Sequence, residues 1–154
     1  PIRGNVETRM GKVDAGLFDA TLLAEAGLTR LDMKGVTRYP ISEEIIVPAP
    51  GQAAIAVQTR DEDGELQTLL QEIHDAKTER EVTIERSLLK RLGGGCALPL
   101  GCVCHIEGEM AELRVFYANA SGTEHYLATH RTPLSDIDTL LSQLIERLQH
   151  ITTA

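Results

Sequence analysis

Three β-prone runs at residues 101–106, 111–119 and 124–130 follow one another, with Glu107-Gly108-Glu109 and Ser121-Gly122 marking the turns between them. Gaps that short leave no room for a crossover helix, so the runs read as an antiparallel three-stranded meander. A sheet of that size cannot bury an apolar face by itself and needs helices laid on it. The flanks supply them. Thr78-Glu79-Arg80-Glu81 has capping-box spacing and opens a helix with Ile84, Leu88, Leu89 and Leu92 on one side. Thr132-Pro133 starts a last helix whose apolar face is Leu134, Ile137, Leu140, Leu141, Leu144, Ile145 and Leu148. A further amphipathic stretch carries Leu66, Leu69, Leu70 and Ile73. The acidic run Asp61-Glu62-Asp63-Gly64-Glu65 reads as a solvated boundary, which makes residues 61–154 a small α+β domain with helices on one face of its sheet.

Residues 1–60 read differently, as an α/β portion. A helix over about 5–14 ends at Gly16, residues 20–23 read as a buried strand, and a second helix runs to about Leu31. Residues 45–47 and 54–58 read as short strands on either side of the turn Pro48-Ala49-Pro50-Gly51. Apolar strands of this kind belong inside a sheet covered on both faces, and this portion has too few to build one. Partner strands are expected from outside it.

Composition narrows the classes of function. A formal net charge of -8 argues against general nucleic-acid binding. No apolar run reaches membrane-spanning length and no basic-then-apolar leader opens the chain, so the expectation is a cytoplasmic protein with no membrane partner. Three cysteines are too few and too uneven for a disulfide framework, in keeping with a reducing compartment. Cys102, Cys104 and His105 bring metal ligands to mind. Strand alternation, however, puts the two sulfurs on one face and the imidazole on the other, and no second cluster has ligand spacing, so no metal is expected. Glu85 and Arg86 read as a helix-surface or interdomain pair rather than catalytic groups.

Two places could carry chemistry. Cys96 lies in Gly93-Gly94-Gly95-Cys96-Ala97-Leu98-Pro99-Leu100-Gly101, a glycine-rich exit from a helix that leaves room for a sizeable group on sulfur. An ordinary helix end followed by a small buried cysteine is the competing reading. Arg3 and Arg9 flank Gly4-Asn5 at a helix start, and with Asn5 as N-cap the two guanidinium groups and the helix dipole would form an anion site. Two solvated arginines on an exposed helix is the alternative. The bias of basic residues towards arginine, eleven of fifteen, suits the holding of carboxylates.

The segments Ile2-Arg3-Gly4-Asn5-Val6-Glu7-Thr8-Arg9, Pro48-Ala49-Pro50-Gly51-Gln52-Ala53-Ala54 and Gly94-Gly95-Cys96-Ala97-Leu98-Pro99-Leu100-Gly101 together resemble porphobilinogen deaminase, also called hydroxymethylbilane synthase. The resemblance covers the chain from end to end but only the C-terminal half of the family's enzymes. It implies that residues 1–60 are the end of a second domain plus a crossover to the first, with incomplete periplasmic-binding-protein-like sheet elements. It implies that residues 61–154 are the C-terminal, cofactor-carrying domain, and that an N-terminal half of the same enzyme is a partner. It further implies a dipyrromethane cofactor in thioether linkage to Cys96, with Arg3, Arg9 and Arg30 holding the carboxylates of porphobilinogen and of the growing pyrrole chain, and Gln52 near the cofactor. Four porphobilinogen units would be joined into hydroxymethylbilane for tetrapyrrole synthesis. The family's catalytic aspartate belongs to a Lys-Asp segment of the N-terminal half. No Lys-Asp dipeptide occurs here, so no catalytic residue is expected in this chain, and the chain alone is expected to be inactive. Pro50 and Ala53 depart from the family's usual aliphatic residue and glycine, and Ala53 would be strained if its position needs a positive φ. A carboxylate-binding module, or a non-catalytic fragment without covalent cofactor, remains the alternative function.

Overall fold

The computed structural model describes residues 1–95 and 98–152. Backbone contacts divide the chain into two compact units, Pro1–Ile41 and Ser42–Ala154.

In the first unit, helix α1 (Val6–Asp14) starts at Asn5, whose side-chain oxygen accepts from the Thr8 N–H at 2.8 Å. It stops at Gly16 (φ +70°), where the Gly16 and Leu17 N–H groups turn back to the carbonyls of Val13 and Lys12. Helix α2 (Glu25–Arg30) buries Leu28 and ends in the same way, with Asp32 in the left-handed region (φ 46°). Arg38 fastens the unit's later chain to α2 by donating to Glu25 (2.6 Å) and to the Met33 carbonyl (2.7 Å). Residues 20–23, expected as a strand, are irregular, and Leu22 is exposed. No described segment lies alongside to complete a ladder, and an unpaired strand leaves its N–H and C=O groups to water.

The second unit is built on the meander: β1 (Leu100–Glu107), β2 (Met110–Ala118) and β3 (His125–Pro133), in that spatial order, with Leu100 opposite Tyr117 and Met110 opposite Pro133. Helix α3 (Gly64–Leu70) leads through a 3-10 turn to α4 (Ala76–Arg91), and α5 (Ile137–Thr152) closes the unit. Ile84 and Leu88 of α4, alternate residues of the strands, and Leu141, Leu144 and Leu148 of α5 form one core, as the helical and strand periodicities require. Arg91 of α4 pairs with Asp138 of α5. The start of α4 differs from expectation. Its N-cap is Asp75, which accepts from the Thr78 N–H at 2.8 Å, so the helix begins before the Thr78 capping box. The α3 stripe is also less buried than its pattern suggests, since Leu69 and Ile73 face solvent.

Residues 45–47 and 54–58 are not strands either; Ile45, Ile46, Ile55 and Val57 are exposed and the backbone around them is turn or irregular. The stretch from 42 to 51 nevertheless belongs to the second unit, because it is tied to the sheet. His105 and Glu43 meet at 2.9 Å, Arg114 donates to the Glu44 carbonyl at 2.8 Å, and the Cys102 N–H donates to the Pro48 carbonyl at 2.8 Å. Gly101 makes this possible. A Cβ there would lie 2.6 Å from the Val47 carbonyl oxygen, so only glycine lets the two backbones approach.

Candidate functional site

The turn at 49–52 is determined locally. The Gln52 N–H donates to the Ala49 carbonyl at 2.9 Å, with Pro50 second and Gly51 (φ +73°) third, the pattern of a type II turn. Pro50 therefore fits its place, since proline presets φ for that position. A second turn follows, closed by the Ala54 N–H on the Gly51 carbonyl at 3.3 Å, and it puts Ala53 at φ +68°. The strain expected of an alanine at this point is present. Gln52 projects from the turn and is exposed.

What holds this turn is Glu85. It is not the surface partner of Arg86 that its charge suggests, because its residue is only 6% exposed. One carboxylate oxygen accepts from the Gly51 N–H at 2.6 Å and the other from the Cys104 N–H in β1 at 2.9 Å. Burial pushes its pKa up while these two donors pull it down, and the net direction is up. One turn earlier on α4, Glu81 accepts from the Ile106 N–H at 2.7 Å. The match is geometric: four helical residues rise about 6 Å and two strand residues about 7 Å, so carboxylates at i and i+4 reach alternate N–H groups of β1. The signal was in the sequence, because Glu81, Glu85, Leu88 and Leu92 fall on one helical face and a charge inside such a stripe is a buried polar candidate.

On the other side of the turn opens a cleft of about 1340 Å³, lined by residues 54–57 together with Leu70, Val82, Arg86, Lys90, Gly93 and Gly94 among others. Its lining is mixed: aliphatic residues alternate with polar ones, Arg86 and Lys90 bring positive charge and Asp75 and Glu79 negative charge. Gly94 is tightly placed, since a Cβ on it would meet Leu98 Cδ2 at 2.5 Å. Cys96, the residue expected to carry the cofactor, lies outside the described residues. Arg86 and Lys90 in this lining are the groups that could pair with the carboxylates of a dipyrromethane.

Arg3 and Arg9 share the N-terminal end of α1, where Arg9 Nε donates to the Gly4 carbonyl at 2.9 Å and Lys12 donates to the Arg3 carbonyl at 2.9 Å. The terminal guanidinium nitrogens of Arg9 take no part in that bond. Arg3 is exposed and Arg9 half-buried. A Cβ on Gly4 would strike Thr8 Cγ2 at 2.6 Å, so the glycine is required for this entry into the helix. Arg30 is the last residue of α2 and is exposed. The other cysteines are both reduced and buried. Burial pushes the Cys104 thiol up to about 12 and Cys102 higher still, with Glu85 adding to both shifts. His105 points to the opposite face, as alternation predicts. Among the described residues no group of His, Cys, Asp or Glu side chains is arranged to hold a metal ion, and no helix is long and apolar enough to cross a membrane.

Comparison with protein families agrees with the segments singled out in the sequence. Residues 1–68 match the family model described as "Porphobilinogen deaminase, dipyromethane cofactor binding domain". Residues 79–138 match the one described as "Porphobilinogen deaminase, C-terminal domain". The two matches are consecutive, in one order, and leave only short stretches of the chain uncovered. By these matches and the segments that carry them, the chain belongs to the porphobilinogen deaminase family, whose enzymes serve tetrapyrrole biosynthesis with a dipyrromethane cofactor.

Proposed function

We propose that this chain is the C-terminal part of a hydroxymethylbilane synthase, a transferase that joins four porphobilinogen units, and that Cys96 is the attachment point of its dipyrromethane cofactor. In this reading residues 1–60 are the end of the second domain with its crossover to the first, in a periplasmic-binding-protein-like arrangement completed by the N-terminal half. Residues 61–154 are the cofactor-carrying domain. The bound cofactor supplies the pyrrole carbon at which the chain grows. This chain's own residues hold it: Cys96 anchors it, Gln52 lies beside it, and Arg3, Arg9 and Arg30 neutralise the carboxylates of the lengthening product. The catalytic carboxylate comes from the N-terminal half, so the chain alone is inactive, and the setting is cytoplasmic.

The observation that supports this reading best is the pair of consecutive family matches, with Arg86, Lys90, Gly93 and Gly94 of the cleft inside the part that matches the family's C-terminal domain. It is tested by mixing the chain with the separately produced N-terminal half and porphobilinogen, then measuring intact mass and colour with an aldehyde reagent for pyrroles. A dipyrromethane adduct is expected, and Cys96→Ser should abolish it. An adduct that survives Cys96→Ser would place the attachment elsewhere. A bare polypeptide under all these conditions would leave a carboxylate-binding module without covalent chemistry as the function.

A further inference from the structure

We propose that Glu85 is a positioning residue for the cofactor site: its buried carboxylate fixes the turn at 49–52, and so the approach of Gln52, to the same strand and helix that lead to Cys96. The geometric half of this inference stands on the structure, and the functional half rests on the family reading above.

A carboxylate buried to this degree is ordinarily matched by a cation, yet Glu85 forms no ion pair with any described residue. Its two oxygens instead take two backbone donors from segments far apart in sequence, Gly51 in the turn and Cys104 in the core strand. An ionised carboxylate is the side chain this arrangement needs. Both partners are N–H groups, so both side-chain atoms must accept. Glutamine would present its NH2 to one of them, and an apolar side chain would leave both donors unpaired. The charge therefore does something that neutral packing could not: it joins loop, helix and strand at one point.

That point is well placed to matter. The turn is otherwise a surface feature whose own hydrogen bonds, at Gln52 and Ala54, fix its shape but not its location. Pro48 anchors the incoming chain on Cys102 in β1, and Glu85 anchors the turn itself. Helix α4, which carries Glu85, ends two residues before Gly93 and Gly94 at the end of the cleft. Release of Gly51 would let Gln52 drift relative to that end while the core stayed packed, because Ile84 and Leu88 still hold α4 in the core.

The test uses the full chain with Glu85→Gln, an isosteric change, and Glu81→Gln as its neighbour, which contacts Ile106 and not the turn. Amide hydrogen exchange should be about tenfold faster at Gly51 in Glu85→Gln, as loss of one hydrogen bond to a charged acceptor implies, with Leu113 and Val115 unchanged. After mixing with the N-terminal half and limiting porphobilinogen, the fraction of chains carrying the adduct should fall several-fold in Glu85→Gln and stay at the unsubstituted level in Glu81→Gln. Unchanged exchange at Gly51 overturns the geometric half. A freed turn with an adduct fraction equal to that of Glu81→Gln overturns the functional half. An unsubstituted chain that never takes the adduct defeats the family reading and the functional half with it, while the exchange result still decides the geometric one. Should Glu85→Gln fail to fold, Gly51→Ala disturbs the same turn at its positive φ: a lowered adduct fraction with core protection intact supports the proposal, and an unchanged fraction overturns it.

Discussion

Ala53 holds φ +68° in a turn where a glycine would be free of strain. A Cβ in the left-handed region costs about 1–2 kcal/mol, and the extra unfolded-state freedom of glycine returns about 0.5–1 kcal/mol of that. Ala53→Gly should therefore stabilise the second unit by about 0.5–1 kcal/mol, read as a higher urea midpoint with an unchanged slope. A lower midpoint would mean that the alanine methyl makes contacts worth more than its strain. The direction of this effect could be argued from the sequence, because the residue departs from its family at a turn. Glu85 could not be understood in the same way. Its place in an apolar stripe was visible, but its partners are backbone N–H groups contributed by Gly51 and Cys104, and backbone donors leave no trace in the pattern of side chains.

At the scale of elements, the helices and the meander were legible because each carries its own period: Leu141, Leu144 and Leu148 on α5, and alternation along β2 with Ala111, Leu113 and Val115 inward. The three short apolar runs at 20–23, 45–47 and 54–58 misled, since an apolar run records a tendency to be buried, whereas a strand also requires a neighbour to bond with. The run ending at Val47 is instead pinned against the sheet by the absence of a side chain at Gly101. Gly101→Ala should push Val47 away from β1, because the new Cβ would stand 2.6 Å from the Val47 carbonyl oxygen. The expected cost is about 1–3 kcal/mol, with faster amide exchange at Cys102, whose acceptor is the neighbouring Pro48 carbonyl. Wild-type stability and exchange in Gly101→Ala would show that the strap can move aside freely.

For the whole molecule, the acidic run at 61–65 marks a change of composition, whereas the compact units divide between Ile41 and Ser42. The difference arises from residues 42–51, whose bonds to His105, Arg114, Cys102 and Glu85 are invisible until the sheet is formed. Residues 42–154 produced alone should thus show the same exchange protection at Leu113, Val115 and Leu148 as they do in the full chain, whereas a chain starting at residue 61 should lose protection at Cys102, whose acceptor is the Pro48 carbonyl. Equal protection of the Cys102 amide in both shortened chains would remove the structural importance given to the strap.

The outer side of β1 has a consequence for how the molecule meets copies of itself. Its N–H groups at Cys102, Cys104 and Ile106 are taken in turn by a carbonyl and two carboxylates, none of which belongs to a strand. Sheets grow between molecules when one free edge serves as template for the next, and the ladder continues because every added strand exposes a fresh edge. Here the acceptors are side chains and a turn, so the ladder ends with them. A strand arriving from another chain would have to displace all three before making its first bond, and it would meet two glutamates there, one of them buried.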